Sequence, residues 1–166
     1  MKNKLKIQSS KFKTNEKGFG LIEIIITGVI ISISFVAFLT FILFSRDASS
    51  KAQRNTEAVA KAEEALEVVR KLRDDGYTAN ITSKTVGTTY YPTLVSNAWT
   101  LSTTNPNTYY TTTIVLSTVA RDGSFNIAGS GTVDPNTKKV AATVSWNDSG
   151  TKNVVLTTYI TNIKNN

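Results

Sequence analysis

The sequence predicts an α+β protein: a long N-terminal α-helix, membrane-spanning over its first half, packed on a small antiparallel β-sheet. Three observations carry this. Residues 19–44 read FGLIEIIITGVIISISFVAFLTFILF, a run of 26 residues in which Glu23 is the single ionisable side chain. Residues 45–75 contain neither proline nor glycine. They place Ala48, Ala52, Val59, Ala62, Leu66, Val69 and Leu72 at steps of three, four and seven, the spacing of one helix face. From Tyr77 onward the apolar period falls to two, in segments rich in the β-branched and aromatic residues that suit strands.

Four segments follow from this: residues 1–18, 19–44, 45–75 and 76–166. The first is a basic leader, with Lys2, Lys4, Lys6, Lys11, Lys13 and Lys17 against Glu16 alone, a net charge of +5. The whole chain carries +7 and has a pI of about 9.6, so the remainder holds only +2. A nucleic-acid role inferred from the overall pI would therefore rest on the leader, and no direct nucleic-acid binding is predicted. The second segment exceeds the roughly 20 apolar residues needed to cross a bilayer. It is also longer than the roughly 7–15-residue core of a secretory signal and ends in Phe44-Ser45-Arg46-Asp47 rather than a small-residue cleavage site. Lysines ahead of the span, and only Arg46, Lys51 and Arg54 soon after it, predict an amino end inside and residues 45–166 outside.

The third segment reads as a continuation of the same helix. Its polar face carries Lys51, Arg54, Glu57, Lys61, Glu64 and Lys71, and its spacing predicts i, i+4 pairs between Glu57 and Lys61 and between Glu67 and Lys71. A heptad seam is the competing reading, but Ala48, Ala52 and Ala62 are small for one, so packing on the chain's own sheet is expected. Asp74-Asp75-Gly76 should end the helix, with Gly76 in the left-handed conformation common after a C-terminus. A helix over residues 19–75 would be about 85 Å long at 1.5 Å per residue. Gly28 is its one candidate flexible point within the span.

The fourth segment predicts a β-rich domain. Along 109–120, Tyr110, Ile114, Leu116 and Ala120 alternate with Thr111, Thr113 and Ser117. Along 138–146, Val140, Ala142, Val144 and Trp146 share a face; along 152–162, Val154, Leu156, Thr158 and Ile160 do so. Turns are predicted at Arg121-Asp122-Gly123, Asp134-Pro135-Asn136 and Asn147-Asp148-Ser149-Gly150, the last closing a hairpin. Residues 90–102 supply one or two further strands or an irregular crossing.

The chain has neither cysteine nor histidine, which removes disulfides, the commonest general base and the commonest metal ligand. No phosphate loop or nucleophile–base pair is present, so neither catalytic residues nor a cofactor is predicted and the chain is read as no enzyme. Asp122, Asp134 and Asp148 have oxygen ligands suited to Ca²⁺, but none completes a calcium-loop pattern, and no metal site is assigned. Trp99 and Trp146, with Tyr90, Tyr91, Tyr109 and Tyr110, form either a sugar- or surface-binding patch or ordinary sheet packing.

Glu23 stands apart from all of these. A carboxylate in a bilayer-length segment costs about 2.5–3.5 kcal/mol, so its retention points to a function and a partner. A cut after Gly18 would create a positive amine on Phe19, four residues from Glu23 and on the same helix face. The acid would also lie in the first helical turn, where the macrodipole favours an anion.

Lys17-Gly18-Phe19-Gly20-Leu21-Ile22-Glu23, followed by the long apolar run, resembles the class III leader junction of type IV prepilins and pseudopilins. Gly18, Phe19, Leu21, Ile22 and Glu23 match, while Gly20 stands where that family more often has threonine. Residues 63–70 and the two final strands also look like those of minor pilin-like proteins. The resemblance implies that prepilin peptidase cuts after Gly18, N-methylates Phe19, and leaves Glu23 for subunit assembly. It further implies a structural subunit of a type IV pilus or type II secretion pseudopilus. Its partners would be other pilin or pseudopilin subunits, an inner-membrane assembly platform and the lipid bilayer. Such a subunit is first a single-pass cytoplasmic-membrane protein and then part of an extracellular or periplasmic filament. The alternative is a membrane-anchored adhesin or binding module that does not polymerise.

Overall fold

The structure, a computed structural model, describes residues 18 and 20–163. The chain divides into two compact units, Met1–Asp47 and Ala48–Asn166. Helix α1 runs Leu21–Tyr77 and is followed by one π-helical turn, Thr78–Thr82. Six strands come next: β1 Thr89–Val95, β2 Ala98–Ser102, β3 Thr111–Arg121, β4 Ile127–Ala128, β5 Thr132–Asn147 and β6 Thr151–Thr161. The long helix and the antiparallel sheet make this the α+β fold expected from the sequence.

In the first unit, α1 continues through Gly28 without a break. By length and composition the helix can cross a membrane. Its large apolar side chains between Leu21 and Phe44 are exposed, apart from half-buried Ile42.

In the second unit, α1 presents Ala58, Ala62, Ala65, Leu66, Val68, Val69 and Leu72 to the sheet. These residues close two contiguous cores. The larger joins Leu66, Val69 and Leu72 to Tyr77, Ile81, Tyr90, Leu101, Ile114, Leu116, Val140, Ala142 and Ile160. The smaller sets Ala58 and Ala62 against Val144 and Trp146, the alanines leaving room for the indole. Each fully buried Val, Leu or Ile contributes about 1.5–3 kcal/mol over its exposed state, so these stripes are what hold helix to sheet. The predicted stripe is correct from Ala62 to Leu72, but Ala48 and Ala52 are exposed and Val59 is half-buried.

The predicted ion pairs are also redirected. Lys71 Nζ meets Asp75 at 2.9 Å and Glu67 pairs with Arg70, while Glu57 accepts the Tyr110 hydroxyl at 3.1 Å. Partners on the next turn and on the segment before β3 compete with the i, i+4 neighbour, and exposed pairs of that kind are weak. Gly76 does end the regular helix, at φ 154°, ψ 100° rather than in the left-handed well. Asn80 in the π-turn donates its side-chain amide to the Leu72 carbonyl at 3.1 Å, satisfying one of the acceptors a helix end leaves open.

The sheet order is β2-β1-β3-β5-β6, all antiparallel, with β4 pairing β3. Residues 90–102 resolve into the β1–β2 hairpin, turned by Ser96 and Asn97 at φ 49° and 63°, the signature of a primed two-residue turn. The β5–β6 hairpin pairs eleven residues, from Asn147↔Thr151 to Thr137↔Thr161, and closes through the expected Asn147–Gly150 turn. Val140, Ala142, Val144 and Trp146 share the buried face as predicted.

Two expectations need correction here. Asp134-Pro135-Asn136 lies inside β5, as a bulge where β3 changes register between Thr118 and Val119. Pro135 has no amide to give a ladder, and Asp134 Oδ1 accepts the Asn136 amide at 2.9 Å, so local turn chemistry is accommodated within a strand. The same bulge reverses the side-chain parity of β3. Val119 is therefore buried beyond Ile114 and Leu116, where unbroken alternation placed Ala120.

Candidate functional site

The candidate site at the amino end is built on the start of α1. Gly18 is exposed and has open space around its α-carbon. Phe19, predicted as cleavage partner and methylation site, lies outside the described residues. Gly20 is the cap position, and its carbonyl accepts the amides of Glu23 at 3.0 Å and Ile24 at 3.4 Å. In return the Gly20 amide donates to Glu23 Oε2 at 3.0 Å. Glu23 therefore occupies the third helical position and reaches back to the cap, the carboxylate half of a capping box. It neutralises one orphan donor and faces the positive end of the dipole. This partner was missed from sequence, although an acid three residues after a capping glycine is its signal.

The rest of the span is polar only at hydroxyls, and each is satisfied within the helix. Thr27, Ser32, Ser34 and Thr40 donate to the carbonyls of Glu23, Gly28, Ile30 and Val36 at 2.7–3.0 Å. In hydrocarbon an unsatisfied hydroxyl is costly, and this back-bonding removes the cost. Glu23 thus remains the one ionisable group of the span.

A second candidate lies wholly in the Ala48–Asn166 unit. The structure separates the predicted aromatics into two sets and leaves half-buried Tyr91 outside both. Tyr90 and Trp146 are buried in the core, as sheet packing predicts. Trp99, Tyr109 and Tyr110 instead line an open groove of about 680 Å³ together with Arg54, Glu57, Lys61 and Glu64 of α1. Tyr109 and Tyr110 meet edge to face at 4.9 Å, and Tyr110 lies 5.9 Å from Trp146. The Tyr110 hydroxyl donates to Glu57 Oε2 at 3.1 Å, and Lys61 Nζ sits 5.5 Å from its ring centre. Desolvation first, and then the Glu57 hydrogen bond, push the Tyr110 phenol above its ordinary pKa. Arg54 is drawn towards the β5–β6 turn, where its Nε and Nη2 donate to Asp148 Oδ2 at 3.1 and 3.0 Å. The four charged residues had the spacing of a solvent face; only the tertiary fold shows that they wall a groove.

The three turn aspartates are each engaged by protein donors. Asp122 Oδ1 accepts the amides of Asn126 and Ser124, both at 2.9 Å, which hold its carboxyl below the usual range. Asp134 Oδ2 accepts from Arg121 Nε at 2.6 Å and from Thr137 Oγ1 at 2.8 Å, with the same effect. Asp148 takes Arg54. The three therefore serve turn and ion-pair geometry separately and are not brought together.

Comparison of the chain with protein-family models, with curated proteins and with solved structures finds no match in any of the three.

Proposed function

We propose that the chain is a pilin-like structural subunit of a type IV pilus or type II secretion pseudopilus. Prepilin peptidase cuts it after Gly18 and N-methylates Phe19, and the mature chain assembles through its N-terminal helix. The observation that carries this reading is Glu23: the single ionisable residue of the span, held in the first turn of an otherwise internally satisfied apolar helix. Residues 1–18 keep the amino end cytoplasmic, the helix waits in the bilayer, and residues 45–166 lie outside.

Cleavage adds a cation where the structure already gathers the Gly20 amide and the helix dipole about the carboxylate. Within the bilayer that amine and Glu23 satisfy each other near the cytoplasmic interface. In a filament, the carboxylate of one subunit can take the amine of its neighbour, which sets the axial register between apolar helices that otherwise slide freely. The charge costs insertion energy and returns assembly specificity.

Mass spectrometry of the mature amino terminus tests the proposal. A chain beginning at N-methylated Phe19 is expected. A chain beginning at Met1 would favour the non-polymerising anchored adhesin, and a start near Ala48 would rule out both readings.

A further inference from the structure

The aromatic groove is lined by residues between Arg54 and Thr112, none of them in the apolar span to which the proposed assembly is assigned. Its wall on α1 alternates in sign, with Arg54, Glu57, Lys61 and Glu64 at successive steps of three and four residues. Arg54 is neutralised by Asp148, which leaves Lys61 between Glu57 and Glu64, a wall of mixed sign with little net field to select a strongly charged ligand. It offers donors and acceptors side by side instead.

Its other wall is aromatic and held in place. Tyr110 is fixed by the hydrogen bond its hydroxyl donates to Glu57 at 3.1 Å, with the Arg54 carbonyl as a second acceptor within reach at 3.4 Å, and by the edge-to-face contact with Tyr109. Tyr109 is 59% exposed, yet its hydroxyl is tethered to the Asn147 carbonyl at 3.3 Å. An exposed ring with fixed orientation costs little further entropy when it stacks on a ligand. Trp99 packs its inner side against the core while lining the groove. The groove volume falls within the range of about 300–1,000 Å³ common to small-molecule sites.

We propose that this groove binds a neutral oligosaccharide, with Trp99 and Tyr109 stacking on the C–H faces of sugar rings while Glu57, Glu64 and Lys61 bond their hydroxyls. Planar rings match the apolar faces of a pyranose, and paired acceptors and donors match its rim of vicinal hydroxyls. A proline-rich peptide would use the aromatic wall but would supply no donors for two carboxylates. The inference holds whether or not the chain polymerises.

The test uses the full-length protein in detergent micelles on a printed array of neutral oligosaccharides, with decaproline and a polyanionic glycan alongside. The strongest neutral binder is then titrated calorimetrically against the wild type and three exposed-site variants. Tyr109→Ala and Glu64→Gln are each expected to weaken binding about tenfold, and Tyr159→Ala, on the outer face of β6, to leave it unchanged. Tryptophan-fluorescence melts confirm that each variant is folded. Capture of no neutral oligosaccharide, or wild-type affinity in both Tyr109→Ala and Glu64→Gln, would overturn the proposal. So would tighter binding of decaproline or of the polyanionic glycan.

Discussion

Replacing Gly131 by alanine tests how the sheet is threaded. β4 and β5 both pair with the end of β3, at Ala120↔Ala128 and Ala120↔Val133, so they occupy its opposite edges. The link Gly129-Ser130-Gly131 must therefore pass over the end of β3. It does so closely: a β-carbon on Gly131 would stand 2.1 Å from the Arg121 carbonyl oxygen and 2.8 Å from its carbon. Gly131 also has φ +140°, where an L side chain is strained by about 1–3 kcal/mol. Relief of the overlap moves backbone by about 1 Å and weakens one terminal hydrogen bond, a further ~1 kcal/mol or more. The expected loss is about 2–4 kcal/mol, which at the melting entropy of a unit this size is a fall of roughly 8–16 °C in Tm. Gly129→Ala is the matched control, because nothing lies within 4 Å of its added carbon. That substitution should leave Tm unchanged or raise it by up to about 4 °C. Both tryptophans, Trp99 and Trp146, belong to the Ala48–Asn166 unit, so their fluorescence follows its melting in the full chain. A Gly131→Ala melt indistinguishable from that of Gly129→Ala would refute the crossing argument.

Two further predictions concern charge. Glu23→Val should increase membrane insertion, spare cleavage at Gly18 and deplete the variant from purified filaments, since an amine left without its desolvated partner costs about 3–5 kcal/mol. Glu23→Gln can keep the bond from the Gly20 amide without the charge, so wild-type levels of the Gln variant in filaments would show capping rather than ion pairing to be the residue's role. For Asp134, the Arg121 hydrogen bond, followed by that of Thr137, lowers the folded-state pKa below the ordinary 3.8. Its stabilisation is therefore fully present above about pH 3.8 and lost as pH falls through the lower folded value. Asp134→Asn should melt below wild type at pH 7, with the gap closing in strong acid. A gap that stays constant between pH 7 and 2 would contradict that linkage.

Much of the fold was legible because it depends on local periodicity. The helix shows in the apolar run, the stripe from Ala62 to Leu72 and the absence of proline and glycine from residues 45–75. Strand β5 shows in the alternation from Val140 to Trp146. Glu23 was legible for an equally local reason, as a single charge in an apolar run has no ordinary use. Its Gly20 partner needed only the position of the first helical turn, which sequence reasoning set at Phe19, two residues early.

What stayed hidden depended on which strands meet. The burial of Val119 in place of Ala120 follows from a bulge that exists only where β3 is paired with β5. The tight passage at Gly131 follows from β4 and β5 taking opposite edges of one strand. Arg54, Glu57, Lys61 and Glu64 form a helical polar face in any local reading. They become the wall of a groove because Trp99, Tyr109 and Tyr110 arrive from β2 and the segment before β3. The sequence alone determined the elements and the membrane-length helix, since hydrophobic period and turn chemistry act over a few residues. Only the tertiary structure decided register, threading and the groove, since those energies arise between residues that are brought together from well beyond a local window, as far apart as Arg54 and Asp148.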